Sequence, residues 1–386
     1  MSETNAALGA AVSSGVHVYK ISYNSKITSA DTETTQASGL LIVPYTACTD
    51  ANNTAPWVVL NHGTIVDNAS APSNNLREGL FEGGLGFIAV VPDYIGFGDS
   101  YINDPTQRIH PYIIADTYAT DGYAIMKAAS EVLGANGITQ GNLYLKGYSE
   151  GGYAALALQR SLETSGQTDF TITASAPSAG PYSTVGAAYE IADVFKQTEN
   201  YDEVNLFNGE KSSTETEAVY AGLGISTINT LLESSVVTAM ATDTGAIATG
   251  AAAIGVTDAG QSFAAAIAGM TDAFSSALFT NDILYGALAG VAAFAPTVPT
   301  VFYHCSNDST IYPSATSGAV ATFVGLGSTT IFSNTSQEGP SDAPHSGCAF
   351  VLTPSICFKE IEAAKAAGAT AAQYLASPSV GSYCAN

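Results

Sequence analysis

The hexapeptide GYSEGG at 147–152 decides the fold, because it joins two segments of different periodicity. The apolar run LYLKG at 143–147 is typical of a buried strand, whereas ALALQRSLE at 155–163 has the spacing of a helix. A G-x-S-x-G pattern in this context indicates a serine presented on a strained strand-to-helix turn. Glycines allow the turn because they lack Cβ atoms, and the helix N-terminus adds positive partial charge beside the serine. Ser149 is therefore the candidate nucleophile.

A serine hydroxyl is a poor nucleophile without a base, and position in the chain separates the five histidines. In this architecture the order is serine, then acid, then histidine. That order selects His345, in the late loop APHSGCAF at 343–350. The others read as structural or precede the candidate acid: His17, His62, His110 and His304.

The acid should follow the first strand after the expected insertion. The segment VFYHCSNDSTIYP at 301–313 offers Asp308 there. Its role would be to orient the imidazole and stabilise the imidazolium. Asp342 is the alternative, although it lies only three residues before His345.

Strand and helix patterns alternate along the rest of the chain, which predicts an α/β fold with a mostly parallel central sheet flanked by helices. A helical period covers 116–133, and the C-terminal helical pattern at 360–376 has a break at Gly368. Strand patterns occupy eight segments: 16–23, 37–44, 57–60, 87–91, 143–147, the start of 170–182, 298–305 and 328–333.

The pattern changes after the sixth strand, where the chain becomes rich in alanine and glycine with helical spacing and no convincing strand. We expect a helical lid or cap at 183–295, inserted between core segments 1–182 and 296–386. The alternative is that this segment completes the core.

Several motifs together resemble the α/β-hydrolase superfamily, and in particular its secretory lipase and esterase branch with a helical cap. They are NHGT at 61–64, PDYIGFGDS at 92–100, HPY at 110–112, GYSEGG at 147–152, SAGPY at 178–182, HCSNDSTIYP at 304–313 and PHSG at 344–347. The resemblance implies a serine carboxylic ester hydrolase, an esterase or lipase, with Ser149, Asp308 and His345 as its triad.

An oxyanion hole in this superfamily uses two backbone N–H groups. One belongs to the residue after the nucleophile, here Glu150. The resemblance places the other on the NHGT turn, at Thr64 with Gly63 as the alternative. The Glu150 side chain could approach His345 or bond into the scaffold. The loop at 92–100 could likewise line a pocket through Tyr94 or Phe97, or be a tight structural turn.

Charge and composition limit the partners. The chain has 34 acidic residues against 11 lysines and arginines, a formal net charge of −23. Such a surface repels nucleic acid and anionic lipid. No apolar run reaches 18 residues, so we expect no stable membrane insertion. We expect a small-molecule or lipid ester substrate, no cofactor, no metal, and a monomer or weak dimer. Three tyrosines could line the acyl pocket or simply pack: Tyr148, Tyr153 and Tyr182.

Five cysteines are present, and four of them lie in the last 82 residues: Cys305, Cys348, Cys357 and Cys384. No C-x-x-C pair is present, which disfavours zinc and redox motifs. One or two disulfides among the four would imply a secreted or periplasmic protein.

Two other classes of function remain open at this level. A prolyl-type peptidase shares the triad, and the acids Glu190, Asp193 or Glu199 of the expected cap could anchor a free amine. A binding module on an inactive hydrolase fold is the other class, and it would leave the serine inert to a fluorophosphonate.

Overall fold

The computed structural model describes residues 12, 14–49, 53–65, 67–100, 110–184, 281–284, 293–308, 310–352, 354–378 and 382–384. Most of the expected cap at 183–295 lies outside these residues, and so do Glu190, Asp193 and Glu199. The cap therefore stays a prediction.

All eight predicted strands are present and form one sheet in the order β1-β2-β4-β3-β5-β6-β7-β8. β1 and β2 pair antiparallel, as do β2 and β4, whereas every other neighbouring pair is parallel. Their bounds are β1 Val16–Ser25, β2 Thr35–Pro44, β3 Thr54–Asn61, β4 Ile88–Pro92, β5 Thr139–Tyr148, β6 Ile172–Ser178, β7 Thr300–Tyr303 and β8 Ile331–Asn334.

The helices lie between and after the strands. The helical patterns at 116–133 and 155–163 correspond to the helices Ala115–Ala135 and Glu150–Thr164. The predicted break at Gly368, with its φ of 93°, separates the last two helices. The described helices are α1 Tyr45–Thr49, α2 Pro72–Asn75, α3 Leu80–Gly84, α4 Ala115–Ala135, α5 Glu150–Thr164, α6 Pro313–Gly325, α7 Cys348–Val351, α8 Pro354–Ala366 and α9 Ala371–Ala376.

The sheet is buried on both faces, which explains the continuous apolar runs in its central strands. In β3, Trp57 and Val59 pack in one core cluster, which includes side chains of α4. The intervening Val58 and Leu60 pack in a second cluster, which includes side chains of α8. Successive side chains of a strand point to opposite faces, so one run of four residues supplies both cores.

Two disulfides join the four C-terminal cysteines, as predicted: Cys305 to Cys348, and Cys357 to Cys384. The fifth cysteine, Cys48, is free and exposed.

The parallel strands bring several of the motifs to one edge of the sheet, where their carboxyl ends meet. The NHGT turn follows β3, Ser149 follows β5 and the SAGPY turn follows β6. Asp308 follows β7, and His345 lies on the loop after β8. In the part of the chain described, no helix combines the length and apolar character needed to cross a bilayer.

Candidate active site

Ser149 occupies a strained turn between β5 and α5. Its φ of 58° and ψ of −124° lie where residues with a side chain are rarely found. The backbone holds it there: the Ser149 N–H donates to Ser178 O at 2.9 Å, and the Gly152 N–H donates to Ser149 O at 2.8 Å. The turn therefore presents the hydroxyl in a fixed direction.

The glycines around Ser149 are required by close backbone approach. A Cβ at Gly147 would collide with the carbonyl of Gly151, and one at Gly151 would collide with the carbonyl of Asn61. Both neighbours are main-chain atoms, so no side-chain rotation would relieve the overlap. Close packing of the turn against β3 thus explains the glycine pattern.

The structure brings the three predicted triad residues together. His345 Nε2 lies 2.9 Å from Ser149 Oγ, and His345 Nδ1 lies 2.7 Å from Asp308 Oδ2. With the Nδ1 proton donated to the carboxylate, Nε2 is left to accept the serine hydroxyl proton. The serine is thereby coupled through one imidazole to a buried acid, the arrangement that activates a hydroxyl for nucleophilic attack.

The Asp308 carboxylate is held by four hydrogen-bonding contacts. Oδ1 accepts from the N–H groups of Thr310 and Ile311 at 2.9 and 3.1 Å. Oδ2 accepts from His345 and also lies 3.3 Å from His304 Nε2. Burial alone would raise the pKa of Asp308, but the two histidines and the backbone donors lower it well below its usual range. Asp308 is therefore ionised.

The sequence places His304 among the histidines that read as structural or precede the candidate acid, and does not reveal this contact with Asp308. His304 is buried, with Nδ1 2.7 Å from Thr316 Oγ1 and Nε2 donating to Ile311 O at 2.8 Å. The four-residue spacing of His304 and Asp308 in HCSND was the available signal.

Access to solvent differs along the triad. The Asp308 side chain is 0% exposed, whereas that of His345 is 15% exposed. Tyr148 stands beside the imidazole and donates its hydroxyl to His345 O at 2.7 Å. The other two tyrosines considered for a pocket, Tyr153 and Tyr182, are buried in a core cluster.

Of the expected oxyanion donors, Glu150 follows Ser149 in the chain and Gly63 lies near it in space. Glu150 is the first residue of α5, so its N–H is one of those that helix geometry leaves without an intrahelical acceptor. On the facing turn, a Cβ at Gly63 would come within 3.8 Å of Ser149 Cβ. Thr64 follows, with its Oγ1 3.0 Å from Tyr112 Oη.

The Glu150 side chain points into the scaffold. Its Oε1 lies 2.8 Å from His110 Nε2 and accepts from Tyr118 Oη at 2.8 Å. Burial would raise the pKa of Glu150, but the charge and hydrogen bond of His110 outweigh it and lower the pKa. His110 Nδ1 faces Ile95 O at 2.8 Å. His110 therefore links the Glu150 carboxylate to the backbone of the 92–100 loop.

The loop at 92–100 is structural. Asp93 accepts from Ser38 Oγ at 2.6 Å and from the Ser73 N–H in the first turn of α2 at 2.8 Å. Tyr94 adopts a φ of 69° and donates its hydroxyl to His62 O at 2.9 Å, with the two rings stacked. This arrangement packs the NHGT turn against the loop, and Phe97 is buried in a core cluster nearby.

No group of three or more His, Cys, Asp or Glu side chains among the described residues could hold a metal ion.

Solved structures with the same fold extend over nearly the whole chain. The rice cell wall degrading esterase LipA from Xanthomonas oryzae has a TM-score of 0.59 at 22% identity, covering 91% of this chain and 92% of that one. Candida antarctica lipase A has a TM-score of 0.54 at 14% identity, covering 91% and 78%. A putative hydrolase from Legionella pneumophila has a TM-score of 0.53 at 20% identity, covering 84% of each chain.

No family model matches the chain, and no curated protein matches it. Together with the strand order, the structural likenesses show that the chain has the α/β-hydrolase fold.

Proposed function

We propose that the protein is a serine carboxylic ester hydrolase, an esterase or lipase that forms an acyl-enzyme on Ser149. The observation that carries this proposal is the continuous hydrogen-bonded chain from Ser149 through His345 to the buried Asp308. Its position on a strained turn at a helix N-terminus, at the carboxyl edge of the sheet, supports the same conclusion.

Acylation begins when Ser149 Oγ attacks the ester carbonyl carbon and His345 Nε2 accepts the hydroxyl proton. The imidazolium that forms keeps its Nδ1 proton and donates a hydrogen bond from it to the Asp308 carboxylate, whose negative charge stabilises the imidazolium. The tetrahedral intermediate then collapses, and the bond between carbon and the alcohol oxygen breaks. His345 returns its proton to that oxygen, the alcohol leaves, and the acyl group remains on Ser149.

The carbonyl oxygen becomes negatively charged in the intermediate, and we assign its stabilisation to backbone donors. The Glu150 N–H supplies one hydrogen bond, with the field of α5 behind it. Thr64, or its neighbour Gly63, supplies the second from the turn after β3. A single donor of this kind is worth about 10² to 10³ in turnover.

Deacylation repeats the sequence with water as the nucleophile. His345 takes a proton from water as the oxygen attacks the acyl carbon, and then returns that proton to Ser149 Oγ. The products are the carboxylic acid and the free enzyme, so no cofactor enters the balance.

We assign uncharged esters, small-molecule or lipid, as the substrate class. With 11 lysines and arginines in the whole chain, a cationic pocket for an anionic acyl group is disfavoured. The neighbours LipA and lipase A carry esterase and lipase in their names, which supports the ester class. We propose an exported protein, because two disulfides persist best in an oxidising compartment. A monomer or weak dimer without nucleic-acid partners fits the acidic charge.

The prolyl-type peptidase is the weaker alternative. Its amine anchors would be Glu190, Asp193 or Glu199, none of which is among the described residues, and the neighbours with printed activities are an esterase and a lipase.

The proposal is tested by replacing Ser149 with alanine and measuring p-nitrophenyl butyrate hydrolysis. Loss of the nucleophile should lower kcat by about 10⁶-fold, as removal of a triad serine does elsewhere. A proline p-nitroanilide measured in parallel should not be cleaved by the wild type. Ester hydrolysis that survives Ser149→Ala, or preferential cleavage of the anilide, would overturn the assignment.

A further inference from the structure

The Cys305–Cys348 disulfide joins the two loops that carry Asp308 and His345. Cys305 lies three residues before Asp308, and Cys348 lies three residues after His345. A backbone hydrogen bond spans each interval: the Asp308 N–H donates to Cys305 O at 3.2 Å, and the Cys348 N–H donates to His345 O at 3.0 Å. Each half of the cystine is therefore one hydrogen-bonded turn from a member of the acid–base pair.

Hydrogen bonds also link these loops, but they involve exposed residues. The Ser306 N–H donates to Gln337 O at 2.8 Å, and the Asn307 side chain exchanges bonds of 2.9 and 2.8 Å with the backbone of Gly339. Ser306, Asn307 and Gln337 are exposed, whereas Gly339 is buried and its two bonds are partly buried, so water competes for part of this set of bonds. The two cysteines, in contrast, are 0% exposed and belong to a core cluster.

Ser149 is positioned in another way. Its turn is built into β5 and α5 and packs directly against β3, whereas Asp308 and His345 stand on irregular segments beyond short strands of four residues. A displacement of about 1 Å between reacting groups is enough to cost about 10²-fold in rate. The loops that carry the acid and the base therefore need a constraint that the sheet alone does not supply.

We infer that the Cys305–Cys348 disulfide is a positioning element for catalysis, which holds the Asp308–His345 pair in register with Ser149. This inference rests on the proposed function, because it concerns the same triad. The disulfide acts through the two loops and touches no reacting atom.

The chain offers a matched control in the second disulfide. Cys357 and Cys384 are also buried and lie in the same core cluster, but they attach the C-terminal residues to α8. The sequence separations are 43 and 27 residues, and the stabilising effect of a disulfide changes only slowly with loop length. Removing either bond should therefore lower stability to a similar degree.

The experiment compares C305A/C348A with C357A/C384A. Ester hydrolysis is measured below the melting temperature of both variants, and active enzyme is counted by fluorophosphonate titration. We expect kcat per active site to fall by about 10²-fold in C305A/C348A, with little change in KM. In C357A/C384A we expect a lower melting temperature with kcat close to that of the wild type.

A second comparison separates positioning from general loosening of the fold. In an Asp308→Ala background the pair that the disulfide aligns is already broken, so removing Cys305 and Cys348 should cost little further activity. A disulfide that influenced kcat independently of the Asp308–His345 pair would lower kcat per active site again by the same factor.

Three results would overturn the inference. One is an unchanged kcat in C305A/C348A, and another is an equal loss of kcat in C357A/C384A. The third is a loss of kcat in the Asp308→Ala background as large as that in the wild-type background. If C305A/C348A does not fold, C305V/C348A restores buried volume without the bond and is judged by the same comparisons. The proposed function is judged separately by Ser149→Ala with both disulfides intact.

Discussion

Two histidine–carboxylate pairs lie next to Ser149, and they differ in what the imidazole can still do. His110 lies 2.8 Å from Glu150, and His345 lies 2.7 Å from Asp308. The first pair is buried in the scaffold, where the His110 side chain is 4% exposed and the Glu150 side chain is 1% exposed. The His345 side chain is 15% exposed.

The contacts of the second ring nitrogen explain the difference. His110 Nδ1 faces a backbone carbonyl, that of Ile95, whereas His345 Nε2 faces the Ser149 hydroxyl. A histidine and a carboxylate at nearly the same separation therefore hold a turn in one case, and in the other we propose that they move a proton. A base needs an imidazole nitrogen that faces the reacting hydroxyl, and a nearby carboxylate alone does not provide this.

The largest effect on activity should follow from breaking the pair of His345 and Asp308. His345→Ala removes the group that accepts and returns the proton, so kcat for p-nitrophenyl butyrate should fall by about 10⁶-fold. The Asp308 carboxylate keeps the N–H donors of Thr310 and Ile311 and the contact with His304, so the melting temperature should fall only modestly. A general acid or base typically contributes about 10²–10⁴-fold to the rate. If the variant keeps kcat within about tenfold of the wild type, another group is the base.

The buried pair should respond in the opposite way. His110→Ala leaves the Glu150 carboxylate buried without its charged partner, so the free energy of unfolding should fall by about 3 kcal/mol. Urea denaturation measures this loss, and kcat per folded molecule should stay close to that of the wild type. A fall in kcat as large as that of His345→Ala, without loss of stability, would contradict the division between the two pairs.

A third buried carboxylate, that of Asp121, extends the comparison because its hydrogen-bond partner is a tyrosine. Asp121 is buried and accepts from Tyr23 Oη at 3.0 Å. Burial raises the pKa of Asp121 to about 7, in spite of that hydrogen bond. In Glu150 and Asp308 the nearby histidines lower the pKa instead.

These directions set the pH dependence of stability. Glu150 and Asp308 stabilise the fold above their unfolded pKa values, about 4, and that contribution is lost as the pH falls. Asp121 has a raised pKa, so its contribution is complete at low pH and is lost as the pH rises through about 7. Between about pH 4 and 7 the folded state holds the Asp121 proton that the unfolded state has lost, so this contribution should decline by up to about 1.4 kcal/mol per pH unit and level off above pH 7. Asp121→Asn should flatten this decline in urea denaturation measured from about pH 4 to 7, and a decline that persists unchanged would reject the assignment.

The sequence was sufficient to predict the eight strands and to select Ser149, Asp308 and His345, which the structure brings within hydrogen-bond distance of one another. Apolar runs mark buried strands, and the chain order of serine, acid and histidine leaves few candidates. It also narrowed the side chain of Glu150 to two orientations, of which the scaffold orientation is observed.

The sequence did not predict which side chains pair with each other across the fold. The contact of Glu150 with His110 depends on how separate elements pack, and local propensity does not encode the distance between them. The pairing of four cysteines was open for the same reason. The cap expected at 183–295 remains a prediction.

The central claim is that Ser149, and no other residue, carries the acyl group during turnover. The most direct measurement is mass spectrometry of peptides after p-nitrophenyl acetate is mixed with the enzyme and quenched in acid. We predict one acetyl group on the peptide that contains Ser149, and none in Ser149→Ala. An acetyl group on another residue, or turnover by Ser149→Ala at the wild-type rate, would contradict the account.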